Sequence, residues 1–240
     1  MSDPLPLPPP ELIARVTGSP DPEQFLAWGR ASVHDIRTSL RVLDVELDDA
    51  KRLLDFGCGC GRVLRHLRDL AASVELHGID TDRDAIAWAD AHLPFASFHV
   101  VDTHPPTPFP DEHFDLVINH SVLSHLPEDH QDEWLAELAR LTRRGAHVQL
   151  TVHGTQRFEE TMYMMEVQGT DTSAYRSSFE RTGFAYVPGA GWEGTFPEHY
   201  QNAFHSPKYV FDHWSKLFEV RAVITGRALG YQDVVLLQRR

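Results

Sequence analysis

The chain has 240 residues, which suits a single large domain better than two very small ones. It carries 22 Lys and Arg against 35 Asp and Glu, a formal net charge of -13. A surface with this charge repels phosphate groups, so we expect neither a nucleic acid nor an anionic membrane as partner. The two cysteines, Cys58 and Cys60, are too few for a disulfide-stapled secreted scaffold.

The N-terminal region divides into two predicted parts. Residues 1–10 contain five prolines, which favours a flexible, extended arm. Residues 11–48 are expected to form a helical cap, with helical periodicity over 22–45. We find neither the basic and apolar segments of a signal peptide nor an apolar run near the ~20 residues of a membrane span. The expectation is a cytoplasmic protein, as a monomer or homodimer.

Residues 49–240 are expected to form the main domain, which begins with alternating strands and helices. Five short apolar runs have the length of buried strands. They are 52–56, 74–79, 98–101, 114–118 and 146–152. Helical patterns between them predict a helix over 61–71, one that begins at Thr81 with Asp84 as capping partner, and one over 128–142 that Gly145 ends. This alternation predicts a doubly wound α/β fold with a mostly parallel sheet.

The rhythm breaks after the fifth strand. Residues 154–205 receive no assignment, but their aromatic and methionine side chains suit a substrate pocket as well as a packed core. The stretch Gly189-Ala-Gly-Trp-Glu-Gly194 is expected to form a flexible lid. A helix over 207–217 and two antiparallel strands, 218–225 and 233–238, close the chain.

The stretch Leu54-Asp-Phe-Gly-Cys-Gly-Cys-Gly-Arg62 is a strand followed by a glycine-rich turn and a helix start. Such a turn exposes main-chain N–H groups to an anionic ligand. A nucleotide triphosphate is disfavoured because the phosphate-loop lysine is missing, and neither glycine register matches the dinucleotide pattern G-x-G-x-x-G. Asp55 would also repel a pyrophosphate.

S-adenosylmethionine (SAM) fits these residues better. Asp55 suits its ammonium group, and the N–H groups of the turn suit its carboxylate. Asp80 and Asp102 end the next two predicted strands, where they can accept from the ribose hydroxyls and the adenine amino group. Ligands of open α/β sheets lie at these carboxyl ends.

These residues resemble motif I of class I SAM-dependent methyltransferases. The resemblance continues through Gly78-Ile-Asp80, Phe114-Asp-Leu-Val-Ile-Asn-His-Ser121 and Leu123-Ser-His-Leu-Pro127, and it covers roughly residues 50–153. It implies a seven-stranded sheet whose last strand is antiparallel, and a helical cap from which Trp28, Gly29 and Arg30 close over the methionine end of SAM. The predicted cofactor-binding residues are Gly29, Asp55, Gly57, Cys58, Gly59, Gly61, Arg62, Asp80, Thr81, Asp102, Thr103, Asn119, His120 and Ser121.

Methyl transfer from a sulfonium needs alignment above all, which contributes ~7–11 kcal/mol, and a base adds ~10²–10⁴-fold. Histidine is the natural base near neutral pH, and the chain has 15. The predicted catalytic residues are His153, His199, His125, His205 and Tyr200. No metal-ligand spacing is found.

We therefore expect a SAM-dependent methyltransferase that acts on an O or N atom of a small molecule. Two alternatives stay open. One is an NAD(P)-dependent oxidoreductase on a related fold, and the other is a non-catalytic SAM-binding module.

Overall fold

The computed structural model describes residues 5–189 and 197–240, which contain nine β-strands. The strands are β1 (Arg52–Phe56), β2 (Glu75–Asp80), β3 (Ser97–Val100), β4 (Phe114–Asn119), β5 (Thr142–Val152), β6 (Phe184–Val187), β7 (Asn202–His205), β8 (Phe218–Ala228) and β9 (Gln232–Arg239). Seven of them form one sheet in the order β3-β2-β1-β4-β5-β9-β8, while β6 and β7 pair separately. Strands β1 to β5 are parallel, and β9 lies antiparallel between β5 and β8. The predicted fold class is confirmed, including the antiparallel last strand.

Seven α-helices surround the sheet in the described residues. They are α1 (Pro10–Thr17), α2 (Pro22–Leu40), α3 (Arg83–His92), α4 (Glu128–Leu141), α5 (Thr155–Val167), α6 (Ser173–Thr182) and α7 (Pro207–Trp214). Helices α4 and α7 pack on one face of the sheet, and α2 and α3 pack on the other. The sheet is therefore covered on both sides, as a doubly wound fold requires. Within the described ranges, no helix combines the length and the apolar character that crossing a bilayer demands.

Local structure departs from the sequence prediction in three places. The segment 64–72 is a 3₁₀ helix, not an α-helix. Helix α3 is capped by Asp82, whose side chain accepts from the backbone N–H groups of Asp84 and Ala85, so Thr81 is not the cap. Helix α4 ends at Leu141 and runs directly into β5, so Gly145 lies inside a strand with φ 79°.

The N-terminal region is more ordered than the composition suggests. Helix α1 begins at Pro10, where proline is tolerated because the first helical N–H has no partner within the helix. The guanidinium of Arg65 donates to the backbone carbonyls of Leu5 and Pro6, which ties this part of the proline-rich arm to the domain. Most of the predicted lid, residues 190–194, lies outside the described residues.

Candidate functional site

The sheet has its switch point between β1 and β4, because the chain moves outward from β1 to β3 and then returns to β4. Ligands of open α/β sheets bind outside the strand ends at this point. Asp55 is the penultimate residue of β1 and Asn119 ends β4. The Asn119 Nδ2 donates to the carbonyl of Phe56, the last residue of β1, over 2.6 Å. The structure therefore brings these two predicted residues to the edge where a cofactor is expected.

The glycine-rich turn after β1 is a tight left-handed bend. Gly57, Gly59 and Gly61 have φ angles of 78°, 52° and 79°, a region that favours glycine. The backbone N–H of Gly59 donates to Asp80 Oδ2 over 2.7 Å, and the other oxygen of Asp80 accepts from the Asp82 N–H over 2.9 Å. The carboxylate that ends β2 thus holds the bend against the neighbouring strand.

The carboxyl group of Asp55 lies in an unusual environment. Asp55 is 2% exposed, and its Oδ2 has no hydrogen-bond partner within the described residues. Burial raises the pKa of Asp55 to about 7, although the nearby charge of Arg62 acts in the opposite direction. Arg62 is itself buried and donates to Ser32 Oγ over 3.1 Å, and burial lowers the pKa of its guanidinium. A buried acid of this kind favours a cationic partner.

Two valines pack against the glycine bend. A Cβ on Gly59 would lie 2.5 Å from Val16 Cγ1, and a Cβ on Gly57 would lie 2.1 Å from Val122 Cγ2. Val16 belongs to α1, which Arg15 fastens to the start of α3 through Asp82 at 2.8 Å. Helix α1 therefore covers the bend, and no sequence motif indicated this role.

A polar cluster lies beside the bend, where β4 and β5 end and β9 begins. Its members are Ser121, His125, His153, Tyr200 and Gln232. The Gln232 Nε2 donates to Ser121 Oγ over 2.8 Å and lies 3.3 Å from His153 Nε2. The His125 Nε2 lies 3.2 Å from Ser121 Oγ, and the His125 ring stacks on Tyr200 with 4.6 Å between centroids. The Tyr200 hydroxyl donates to the backbone carbonyl of Ser121.

Comparison with known proteins supports the fold and shows which kind of domain part of the chain resembles. Residues 53–145 match a family model described as a methyltransferase domain. A SAM-dependent methyltransferase from Methanosarcina mazei superposes with a TM-score of 0.58 at 20% identity, covering 83% of this chain and 96% of that one. The matched segment is thus similar to a methyltransferase domain, and the chain has the fold of SAM-dependent methyltransferases.

Two further similar proteins have names that describe small-molecule acceptors. A probable chloroplastic tocopherol O-methyltransferase from Oryza sativa subsp. japonica is 33% identical over 128 residues, which are 50% of this chain and 34% of that protein. The present chain thus spans about a third of that curated relative. A magnesium protoporphyrin IX methyltransferase from Synechocystis PCC 6803 was solved with bound S-adenosylhomocysteine (SAH). It superposes with a TM-score of 0.57 at 16% identity, and the match covers 91% of this chain and 87% of that one.

The residues of the site fit SAM, which confirms the predicted cofactor. The unpartnered Asp55 Oδ2 can accept from the SAM ammonium group, and Asp80 lies at the end of the adjacent strand. The left-handed bend leaves main-chain groups, not side chains, beside these carboxylates.

Some predicted cofactor residues have structural contacts instead. A Cβ on Gly29 would lie 2.5 Å from the Arg62 carbonyl oxygen, so this glycine allows α2 to approach the bend. Arg30 is exposed. Cys58 and Cys60 are buried, and burial raises the pKa of the Cys60 thiol to about 12, which makes it a poor nucleophile.

The remaining predicted cofactor residues lie at the edge of the site. Thr81 and Asp102 are exposed just beyond β2 and β3. The backbone carbonyl of Thr103 accepts from the indole of Trp134. His120 follows Asn119, and its Nε2 is buried without a hydrogen-bond partner in the described ranges.

The structure does not bring two of the five predicted catalytic residues into the polar cluster. His205 is 1% exposed, bonds to Gln131 Oε1 over 2.8 Å and packs against the ring of Trp214, so it is a core residue. His199 instead packs its ring against that of His130, 4.7 Å away. Within the described residues, no three His, Cys, Asp or Glu side chains are arranged to hold a metal ion.

Sequence analysis missed Gln232 and the neighbouring Tyr231. Gln232 is completely buried at the start of β9, and Tyr231 lies near enough to Arg62 to influence its charge. Tyr231 lies in the turn between β8 and β9 and Gln232 begins β9, both far outside the motifs that carry the family resemblance. The only sequence signal at this position is a pair of polar residues, Gln232 and Asp233, directly before the apolar run Val234-Val-Leu-Leu237.

Proposed function

We propose that this methyltransferase transfers the methyl group of SAM to an oxygen or nitrogen atom of a small-molecule acceptor, in the cytoplasm. The observation that carries the proposal is the buried Asp55 carboxyl at the switch point, with one oxygen unpartnered in the described residues. An acid that loses hydration on folding raises the free energy of the folded protein unless a ligand supplies a donor or a positive charge. The ammonium group of SAM supplies both.

The reaction is a displacement that the protein controls mainly by position. When bound, SAM supplies a methyl group on a positively charged sulfur. A lone pair of the acceptor forms the new bond to the methyl carbon, and the carbon–sulfur electron pair returns to sulfur. An O–H or N–H acceptor also releases one proton. Alignment of the two reactants contributes ~7–11 kcal/mol, more than a base would add.

The acceptor end of the proposed site is the polar cluster. His153 and Gln232 are 6% and 0% exposed, so the cluster offers hydrogen bonds away from bulk water. A site this far from bulk water suits a small molecule better than a polymer chain, and the net charge of -13 disfavours a nucleic acid. The names of the tocopherol and magnesium protoporphyrin IX relatives support a small acceptor.

Two measurements test the proposal in sequence. Calorimetry on dialysed protein, with SAM, SAH and NADH injected separately, should give binding for the first two and none for NADH. NADH binding without SAM binding would overturn the proposal in favour of an oxidoreductase. Radiolabelled SAM is then incubated with a panel of phenols, amines and carboxylic acids, and label must appear in an organic product. SAM binding without transfer to any O or N atom would indicate a binding module.

A further inference from the structure

The hydrogen bonds of the polar cluster fix where each proton lies. His125 Nδ1 lies 2.9 Å from the backbone carbonyl oxygen of Gln201. A carbonyl only accepts, so His125 Nδ1 carries a hydrogen. Burial lowers the pKa of His125 to about 4, so the ring is neutral near pH 7. Its Nε2 therefore carries a lone pair and accepts.

The next proton belongs to Ser121. Its Oγ lies 3.2 Å from the His125 Nε2 lone pair and 3.3 Å from Ser124 Oγ. Of these two atoms only the nitrogen has to accept, because a hydroxyl can also donate, so we assign the hydroxyl hydrogen of Ser121 to that nitrogen. Ser121 Oγ can then only accept from the atom of Gln232 that lies 2.8 Å away. That atom must therefore be the amide nitrogen. The oxygen and nitrogen of an amide have nearly the same shape, so this hydrogen bond is what decides the orientation of the Gln232 side chain.

The second hydrogen of the same amide nitrogen determines the state of His153. The amide nitrogen lies 3.3 Å from His153 Nε2, and an amide N–H can only donate. Burial, followed by the neighbouring His125 ring, lowers the pKa of His153, so this ring is also neutral. A neutral ring that accepts at Nε2 carries its hydrogen on Nδ1. In the described residues that Nδ1 is buried and has no hydrogen-bond partner.

We propose that Gln232 is a positioning residue that holds His153 as the Nδ1–H tautomer, so that His153 presents a hydrogen-bond donor, not a base, to the methyl acceptor. The part that concerns the acceptor rests on the proposed function, while the tautomer does not. The preferred acceptor then carries an oxygen with a free lone pair, such as a carbonyl or carboxylate, close to the atom that is methylated. Without such an oxygen the buried donor stays unsatisfied, which selects against the molecule.

The tautomer is measured directly by long-range ¹H–¹⁵N correlation spectroscopy of histidine-labelled protein at pH 7.5. The signals of His153 are assigned from their loss in His153→Asn. In the unmodified protein we expect a protonated Nδ1 and a bare Nε2. In Gln232→Glu a carboxylate replaces the donor, so Nε2 gains a hydrogen and the ring titrates at least one pH unit higher. Gln232→Met removes the amide and should give a mixture of the two tautomers.

Gln238→Glu is the matched control, because Gln238 lies on the same strand, is partly exposed and bonds to the Gly145 carbonyl. This variant should leave the His153 signals unchanged. An Nε2–H tautomer in the unmodified protein overturns the proposal. So does a tautomer that is the same in the unmodified protein and in both Gln232 variants.

A second measurement addresses the acceptor. Among the molecules methylated in the radiolabel panel, those with a neighbouring carbonyl or carboxylate should lose at least tenfold in kcat/KM in Gln232→Glu, and those without it should lose less. Equal losses would refute the donor role while leaving the tautomer result intact. If no molecule in the panel is methylated, the proposed function fails, and the spectroscopic result still decides the role of Gln232.

Discussion

Replacing Asp55 by asparagine should change stability and SAM binding in opposite directions. Burial raises the pKa of Asp55 from 3.8 to about 7. Each unit corresponds to about 1.4 kcal/mol, so ionised Asp55 costs the ligand-free fold at most roughly 4 kcal/mol. A raised acid pKa means that the folded state binds the proton more tightly. Stability from this group is therefore present below about pH 4 and is lost as the pH rises through 7.

Asp55→Asn is neutral at every pH and avoids this cost. The ligand-free variant should be more stable than the unmodified protein at pH 8, by up to the same ~4 kcal/mol, and the gain should shrink towards pH 5. Its affinity for SAM should fall about 10- to 150-fold, the equivalent of the ~1.5–3 kcal/mol typical of a charged hydrogen bond. In the unmodified protein, SAM should bind about tenfold more weakly at pH 6 than at pH 8, because Asp55 must first lose its proton.

Urea unfolding between pH 5 and pH 8 measures the first effect, and calorimetry with SAM measures the second. Asp90→Asn, an exposed substitution on α3, serves as control and should alter neither quantity. A ligand-free Asp55→Asn protein that is less stable at pH 8 would refute the reasoning about buried charge. An unchanged SAM affinity would refute the assignment of Asp55 to the ammonium group.

Three further variants test other parts of the structure. Arg15→Ala removes the ion pair with Asp82 that fastens α1. Stopped-flow mixing should then show faster SAM association with little loss of stability, and an unchanged association rate would mean that α1 does not limit the entry of SAM. In Gly57→Ala the new Cβ would lie 2.1 Å from a methyl of Val122, on a residue with φ 78°. The free energy of unfolding should fall by at least about 1 kcal/mol. Adding Val122→Ala to the same chain should restore part of this loss if the clash is the cause. Burial lowers the pKa of His205 to about 3, so its protonation favours unfolding as the pH falls from ~6.5 towards 3; His205→Phe should therefore flatten the acid limb of the stability curve, and an unaltered limb would contradict this origin.

The sequence predicts the sheet well because its central strands, β1 and β4, are buried on both faces. All five predicted parallel strands overlap observed ones, since a continuous apolar run bounded by glycine or aspartate has few other interpretations. The antiparallel end was also predictable, because two strands joined by a short turn must pair in that way. Helix α1 lies in the predicted helical cap except for its first residue, Pro10, which the sequence analysis assigned to the extended arm because three consecutive prolines indicate one unless the last of them begins a helix.

The two halves of the site differ in how far the sequence reveals them. The cofactor half lies on consecutive residues, so Asp55 and the glycine bend form one readable pattern. The acceptor half joins Ser121 to Gln232, which are 111 residues apart. Only the pairing of β9 with β5 brings them together, and no local signal records that contact. Histidine content pointed to several candidates, but burial in the apolar core, as for His205, looks the same in sequence as exposure to a ligand.

Charge explains why this edge of the sheet favours SAM over a dinucleotide. Asp55 and Asp80 both have a raised pKa, caused chiefly by burial, and Arg62 is a cation close enough to Asp55 to oppose that rise. A ligand with an ammonium and a sulfonium group offsets this negative charge, so it lowers the free-energy cost of keeping the two carboxylates buried. A pyrophosphate would add two negative charges beside the same carboxylates and raise that free-energy cost. The selectivity therefore follows from the cost of the unliganded site, which is why the stability of Asp55→Asn and its affinity for SAM must move in opposite directions.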